Sequence, residues 1–207
     1  MVVEAIGGTP TWRAHCYRLS RAVMNGAVEA DLIDSSPCRK RGAGTVKRKI
    51  DIEPATPDEL AAITAHMPER LRLAVPLSAW CALRFGEIAE LRRSDIDLAN
   101  GVVKIRRAMV RVDGKTIVEQ PKSQAGIRDV HMPLHLVPEV KTHLRTFVTG
   151  RGGLIFPGAD GVSQIHLSTL RKYFMRACTT AGRPDLRWHD LRHTGAVMAA
   201  QAGATMA

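Results

Sequence analysis

The sequence predicts a mainly helical chain that carries a small antiparallel β-sheet, an α+β arrangement dominated by helices. Three observations lead there. Apolar residues recur at helical spacing through several stretches, and some of these open on strong cap signals. Only the middle of the chain, from Val102 to Met132, shows short β-branched runs bounded by turn residues. Two of those runs are joined by Asp113-Gly114, a hairpin turn that makes them antiparallel.

The elements follow in order. Residues 11–34 read as helical, with Trp12, Tyr17, Leu19, Val23, Met24, Ala27 and Val28 forming an approximate stripe. The loop signal Asp34-Ser35-Ser36-Pro37 ends it. Two helices at most fit there, too few for an independent core. From Pro37 to Ile50 the chain holds Arg39, Lys40, Arg41, Lys47, Arg48 and Lys49 and no acid. Gly42-Ala43-Gly44 in its middle opposes a helix, so a flexible basic strap is expected. The second part opens on Thr56-Pro57-Asp58-Glu59, with Thr56 as N-cap, Pro57 at the first helical position and Glu59 closing a capping box. That helix runs to about His66. An apolar helix from Arg70 to Ala82, bent at Pro76, comes next, then a turn at Leu83–Gly86 and a short helix over Glu87–Leu91. Val102–Val110 and Thr116–Gln120 are expected strands, Pro121–Arg128 a polar loop and Asp129–Met132 a third strand. Helices are expected near 134–148, 167–181 and 189–202, with a small strand at Leu154–Phe156.

Composition narrows the function. The 207 residues are enough for one ordinary domain and an appendage. No apolar run approaches the roughly eighteen residues of a membrane span, and the N-terminus lacks the pattern of a secretory signal. The four cysteines are widely spaced and form no C-x-x-C pair, which suits reduced thiols in the cytoplasm. A formal net charge of +10 favours a polyanionic partner, most often nucleic acid. With only 4% aromatic residues, stacking on single-stranded bases is not the expected mode. No phosphate-binding P-loop, no G-x-S-x-G nucleophile turn and no acidic cluster for Mg²⁺ is present. No cofactor and no metal is expected.

What remains is a set of cations at special places. Arg84 follows the apolar helix directly, where a guanidinium is costly unless it is paired or faces a ligand. Glu87 lies within reach to hold it. Lys122 sits in the loop between two strands, where a lysine can be laid on a bound ligand. His189 and Arg192 share one face on the first turn of a helix. A cation there works against the helix dipole unless an anion lies beside it. Two arginines, a lysine and a histidine suit phosphoryl transfer: guanidiniums neutralise the non-bridging oxygens, and lysine and histidine move protons. Taken singly, each residue also has a plain reading as an ion pair, a solvated loop charge or a helix cap.

Order and combination favour the first reading. Ala82-Leu83-Arg84-Phe85-Gly86-Glu87-Ile88-Ala89-Glu90-Leu91, then Lys122, then His189-Asp190-Leu191-Arg192-His193-Thr194 resembles the tyrosine recombinase, or phage integrase, family, in particular actinobacterial prophage integrases. The resemblance covers about residues 11–207. It implies a catalytic domain of helices around a small antiparallel sheet over 51–207. It further implies that 1–36 is the end of a helical core-binding domain and 37–50 a basic linker along the duplex. Double-stranded DNA bearing attachment-type sites is the implied partner, with intact integrase protomers as possible companions and a cytoplasmic, nucleoid-associated location. By the same resemblance Arg84 and Arg192 grip the scissile phosphate, Lys122 protonates the leaving 5′ oxygen, His189 assists proton transfer, and Glu87 braces Arg84. Arg39, Lys40, Arg41, Lys47, Arg48 and Lys49 would follow the backbone.

One departure matters. The family attacks with a tyrosine placed C-terminal to its H-x-x-R box, and no tyrosine follows Arg192; the chain has only Tyr17 and Tyr173. The chain therefore reads as a piece of a recombinase that lacks its nucleophile and is inactive alone. A non-catalytic DNA-binding relic or regulator at recombination sites is the alternative.

Overall fold

A computed structural model describes residues 8–46, 53–120, 126–201 and 203. The chain forms two compact units, Met1–Asp51 and Ile52–Ala207.

In the first unit, helix α1 spans Pro10–Glu29 behind an N-cap in which the Thr9 hydroxyl accepts from Trp12 N. Of the expected apolar stripe only Tyr17 is buried, and Trp12, Leu19 and Val23 are exposed. Among the described residues of this unit α1 is the one helix, with no second layer to pack on, so the stripe stays largely uncovered there. The described part of the basic strap is held to α1: Tyr17 donates its hydroxyl to Lys40 O at 3.1 Å. A turn at Gly42, closed by Thr45 N to Gly42 O at 3.0 Å, follows it.

The second unit opens with α2, Pro57–Ala65, and the capping box is closed in both directions: Thr56 N donates to Glu59 and Glu59 N to Thr56 Oγ1. The expected helix over 70–82 is instead two pieces, α3 at Glu69–Arg72 and α4 at Ala74–Trp80. The break falls at Leu73, not at Pro76. Pro76 lies in the first turn of α4, where its missing N–H would have had no helical partner. Helix α5 spans Phe85–Glu90.

The expected strand over 102–110 is likewise two strands in two sheets. Strands β1 (Ile96–Asp97), β2 (Val102–Ile105) and β5 (Arg128–His131) form one antiparallel sheet in the order β1-β2-β5. Ile96 pairs with Val103, and Ile105 with Arg128. Strands β3 (Ala108–Val112) and β4 (Lys115–Glu119) form a separate hairpin, with Asp113 and Gly114 both at positive φ in its turn. Arg106 and Arg107 between the two sheets explain the break. Arg106 pairs with Asp129, while Arg107 Nη2 reaches Asp95 at 2.7 Å. Asp95 is buried, as is nearby Glu90, which accepts from Arg92 and Gln164. Two acids this poorly solvated must be paired, and the chain leaves the ladder to pair them.

Helices α6 (Val137–Phe147), α7 (Leu167–Thr180) and α8 (Trp188–Gln201) complete the unit. Leu154 makes only an isolated bridge with Arg92, where a small strand was expected. The core gathers Ile63, Leu77, Ile88, Val103, Phe156, Phe174 and Leu191, all fully enclosed. Each contributes roughly 1.5–3 kcal/mol through loss of apolar surface to water. Burial also pushes the thiols of Cys81 and Cys178 up to about 12, so both stay protonated and unreactive. Among the described residues no helix is long and apolar enough to cross a membrane.

One buried histidine gives stability a pH dependence. His143 is 5% exposed, and its Nε2 lies 3.0 Å from Ile155 O, which it meets as the neutral, donating ring. Burial pulls its pKa below the ordinary 6.5. The unfolded chain then takes up this proton before the folded one does. The stabilisation is complete above about pH 6.5 and declines as pH falls towards the folded value. Urea midpoints measured between pH 7.5 and 5.5 should fall more for the native chain than for His143→Gln; equal falls would remove His143 as the cause.

Candidate active site

The site grows from the way α4 ends. Residues Ala74–Ala79 of α4 are all buried, and the chain leaves the helix through Ala82, which adopts φ 50°. That left-handed turn is unusual for a residue with a Cβ and costs about 1 kcal/mol or more. It brings Arg84 to the N-cap of α5. Gly86, next in α5, lies against the backbone of β3: a Cβ there would sit 2.4 Å from Met109 O.

Glu87 is the centre of the constellation. It is 3% exposed and its two oxygens take four hydrogen bonds: Arg84 N at 2.9 Å, Arg84 Nη1 at 3.0 Å, and Arg128 Nη1 and Nη2 each at 2.9 Å. Burial alone would raise its pKa. The hydrogen bonds from Arg128 and Arg84 outweigh it and hold the carboxyl below its usual range. The group therefore stays ionised at neutral pH.

Helix α8 delivers the third guanidinium. Arg192 Nη1 donates to Ala82 O at 2.8 Å, which ties α8 to the turn before Arg84. Burial, and then the cations of Arg84 and Arg128, pull the Arg192 pKa down, while Glu87 opposes them. Three guanidiniums thus face one carboxylate. An arginine keeps its proton in such a place, so the surplus positive charge persists until an anion answers it.

Close packing fixes α8. A Cβ on Gly195 would lie 1.7 Å from Ala79 O, so α8 meets the α4 backbone directly there. Thr194 anchors the same turn, accepting from Ala55 N at 3.1 Å and donating to Asp190 O at 3.0 Å. Asp190 accepts from Arg187 N and caps the helix start. His189 is exposed on that first turn, and its ring has no hydrogen-bond partner among the described residues.

Of the residues singled out in the sequence, Arg84, Glu87 and Arg192 are brought together, and His189 lies on the helix face of Arg192. Lys122 falls within residues 121–125, outside the described residues, as do Lys47, Arg48 and Lys49. Arg39 is exposed and donates to Ser35 and Ser36; Arg41 is exposed as well. Sequence reasoning missed Arg128 and Gly195. Arg128 had one signal: it alternates with Val130 on the inward face of β5, where a cation needs an acid. Among the described residues no group of three or more His, Cys, Asp or Glu is placed to hold a metal ion.

Residues 54–207 match the phage integrase family. This chain belongs to that family. Among its integrase relatives is the prophage phiRv2 integrase of Mycobacterium tuberculosis, 52% identical over 203 residues, which covers 97% of this chain and 54% of that protein. The integrase of Mycobacterium phage FRAT1 is 39% identical over 201 residues, covering 95% of this chain and 60% of the other. The chain spans a little over half the length of these curated relatives. The fold is that of tyrosine recombinase catalytic domains. The Tn1549 transposon integrase, solved with circular intermediate DNA, superposes with a TM-score of 0.77 at 15% identity, over 96% of this chain and 69% of that one.

Proposed function

We propose that this integrase-family chain binds duplex DNA and activates a scissile phosphate for site-specific recombination by the tyrosine recombinase mechanism. The surplus of guanidinium charge around Glu87 carries the reading. Arg84 and Arg192 present donors to the non-bridging oxygens of a phosphodiester. They stabilise the charge that grows on those oxygens in the pentacoordinate transition state. His189, exposed on the helix face of Arg192, shuttles a proton at the attacking oxygen. Lys122 serves the leaving 5′ oxygen. The basic segment 37–50 is the linker that follows the backbone after a core-binding segment at 1–36, in a protein working at DNA in the cytoplasm. Solved relatives in complex with DNA support the partner.

Neither tyrosine is offered as the attacking group. Tyr173 packs part-buried against the core from α7, and Tyr17 is buried in the first unit with its hydroxyl engaged. We therefore assign these residues the phosphate grip, with a non-catalytic DNA-binding role at recombination sites as the alternative.

Binding of a 30-bp duplex tests the first half. If the six strap cations each meet a phosphate, log Kobs against log salt should slope at about −5, a loss of about a thousandfold between 50 and 200 mM. A slope shallower than about −2 counts against the linker role. For the second half, the purified 207-residue chain should leave no covalent protein–DNA adduct after denaturation. Recovery of one through Tyr17 or Tyr173 overturns that assignment.

A further inference from the structure

We propose that Arg128 is a positioning residue of the phosphate site: it holds the Glu87 carboxylate by both oxygens and so leaves the Arg84 guanidinium free to take the anion. The proposal rests on the phosphate-binding reading of Arg84 and Arg192.

A buried carboxylate beside a lone arginine draws it into a two-point pair that spends the fork of the guanidinium. Here Arg128 makes that pair, through Nη1 and Nη2 at 2.9 Å each. Arg84 gives Glu87 only Nη1, at 3.0 Å, with its backbone N–H supplying the other contact. Four of the five N–H groups of an arginine remain outside the Glu87 pair. Exposure divides the same way: the Arg84 side chain is 57% exposed and that of Arg128 26%. Arg128 thus faces the acid and Arg84 faces solvent.

Arg128 is itself held firmly. It opens β5 opposite Ile105, and its carbonyl accepts from Arg106 Nη1 at 3.1 Å. Arg106 also pairs with Asp129, the next residue of β5. The charges then sort simply. Arg128 balances Glu87, and Arg84 and Arg192 are left as two uncompensated cations for one phosphate.

Inorganic sulfate, a dianion across the useful pH range, is the probe, titrated calorimetrically into the 207-residue chain at pH 7. In Arg128→Met, Glu87 has only Arg84 to turn to. Sulfate affinity should fall by about tenfold, the effect of one lost charge-assisted contact. Glu87→Gln added to Arg128→Met removes the competing charge and should restore most of the affinity. Both measurements are made well below the Tm of each variant, so that the loss and its recovery report the site and not the folded fraction. Sulfate binding by Arg128→Met should also strengthen as pH falls and the buried, now poorly served Glu87 takes up a proton. If Arg128→Met does not fold, Arg128→Lys decides the matter, because it keeps the charge and loses the fork; it should bind sulfate less well than the native chain.

Native affinity in Arg128→Met or Arg128→Lys, or no recovery in the double variant, overturns the proposal. The outcomes separate cleanly from the parent reading. If Arg84→Ala and Arg192→Ala both bind sulfate like the native chain, the phosphate site itself is wrong. If those two lose binding and the Arg128 variants keep it, only the role of Arg128 falls.

Discussion

Replacing Arg192 with methionine should weaken anion binding roughly 10- to 150-fold while leaving the fold nearly as stable as before. The reasoning sets two effects against each other. Arg192 gives up one charge-assisted hydrogen bond, to Ala82 O, worth about 1.5–3 kcal/mol at most in this half-buried place. It also leaves a place where burial disfavours its charge, and Arg84 and Arg128 disfavour it further. The two contributions offset, so the net change in unfolding free energy should be about 1 kcal/mol or less. Binding has no such offset. A phosphate that loses one guanidinium loses about 1.5–3 kcal/mol, or roughly 10- to 150-fold in affinity. Thermal unfolding reads both at once. A ligand at about a hundred times its Kd stabilises the native chain by about 2.7 kcal/mol, so sulfate should raise its Tm. Arg192→Met should start near the same Tm and gain about 1.4 kcal/mol or less at the same sulfate concentration. Arg84→Ala should behave alike, because Arg128 still holds Glu87 by both oxygens. On duplex DNA each variant should lower the salt slope by about one unit. A sulfate response in Arg192→Met equal to that of the native chain would falsify the assignment.

Gly195→Ala should be among the most damaging small substitutions in the chain. Helix propensity favours alanine over glycine by about 1 kcal/mol, so a reading confined to the helix predicts a gain. Tertiary packing reverses the sign. The new Cβ would sit 1.7 Å from Ala79 O, and the obstacle is backbone, which no rotamer change can clear. Helix α8 must move off α4, at a cost of roughly 2–3 kcal/mol even after the propensity gain. For a unit of this size that lowers Tm by about 4–12 °C. The displacement also carries Arg192 away from Ala82 and Arg84, so phosphate affinity should drop with stability. Gly26→Ala is the matched control. Gly26 lies within α1 with nothing within 4 Å of its added Cβ, and there alanine should strengthen the helix, seen as slower amide exchange in α1. An unchanged or raised Tm in Gly195→Ala would show that α8 has room the structure does not give it.

These two positions also mark what could be read from residues alone. Arg84 and Arg192 were legible because each is a charge that local structure does not need, and Glu87 and His189 because each stands three positions from one of those arginines. Arg84 ends an apolar helix, and Arg192 opposes a helix dipole. The cap at Thr56 and Glu59 and the hairpin turn at Asp113-Gly114 were legible because both are closed by residues a few positions apart. The mainly helical class with a small antiparallel sheet followed from periodicity, cap signals and that hairpin turn.

The strand over 102–110 was misread because Val102–Ile105 and Ala108–Val110 look like one run, with Arg106 and Arg107 as mere polar members of it. What divides it is their pairing with Asp129 and with Asp95, far away along the chain. The helix over 70–82 was misread because a proline inside a pattern looks like a bend, and only the observed start of α4 puts Pro76 in a harmless first turn. Arg128 and Gly195 matter through atoms of Glu87 and Ala79, which no local pattern connects to them. The sequence by itself determined the family, the helical class and the cations proposed to hold a phosphate, because those are statements about residue types and short spacings. Only the tertiary structure decided which cation serves the buried acid and which is left for the ligand, because that division depends on how many N–H groups reach one carboxylate in space.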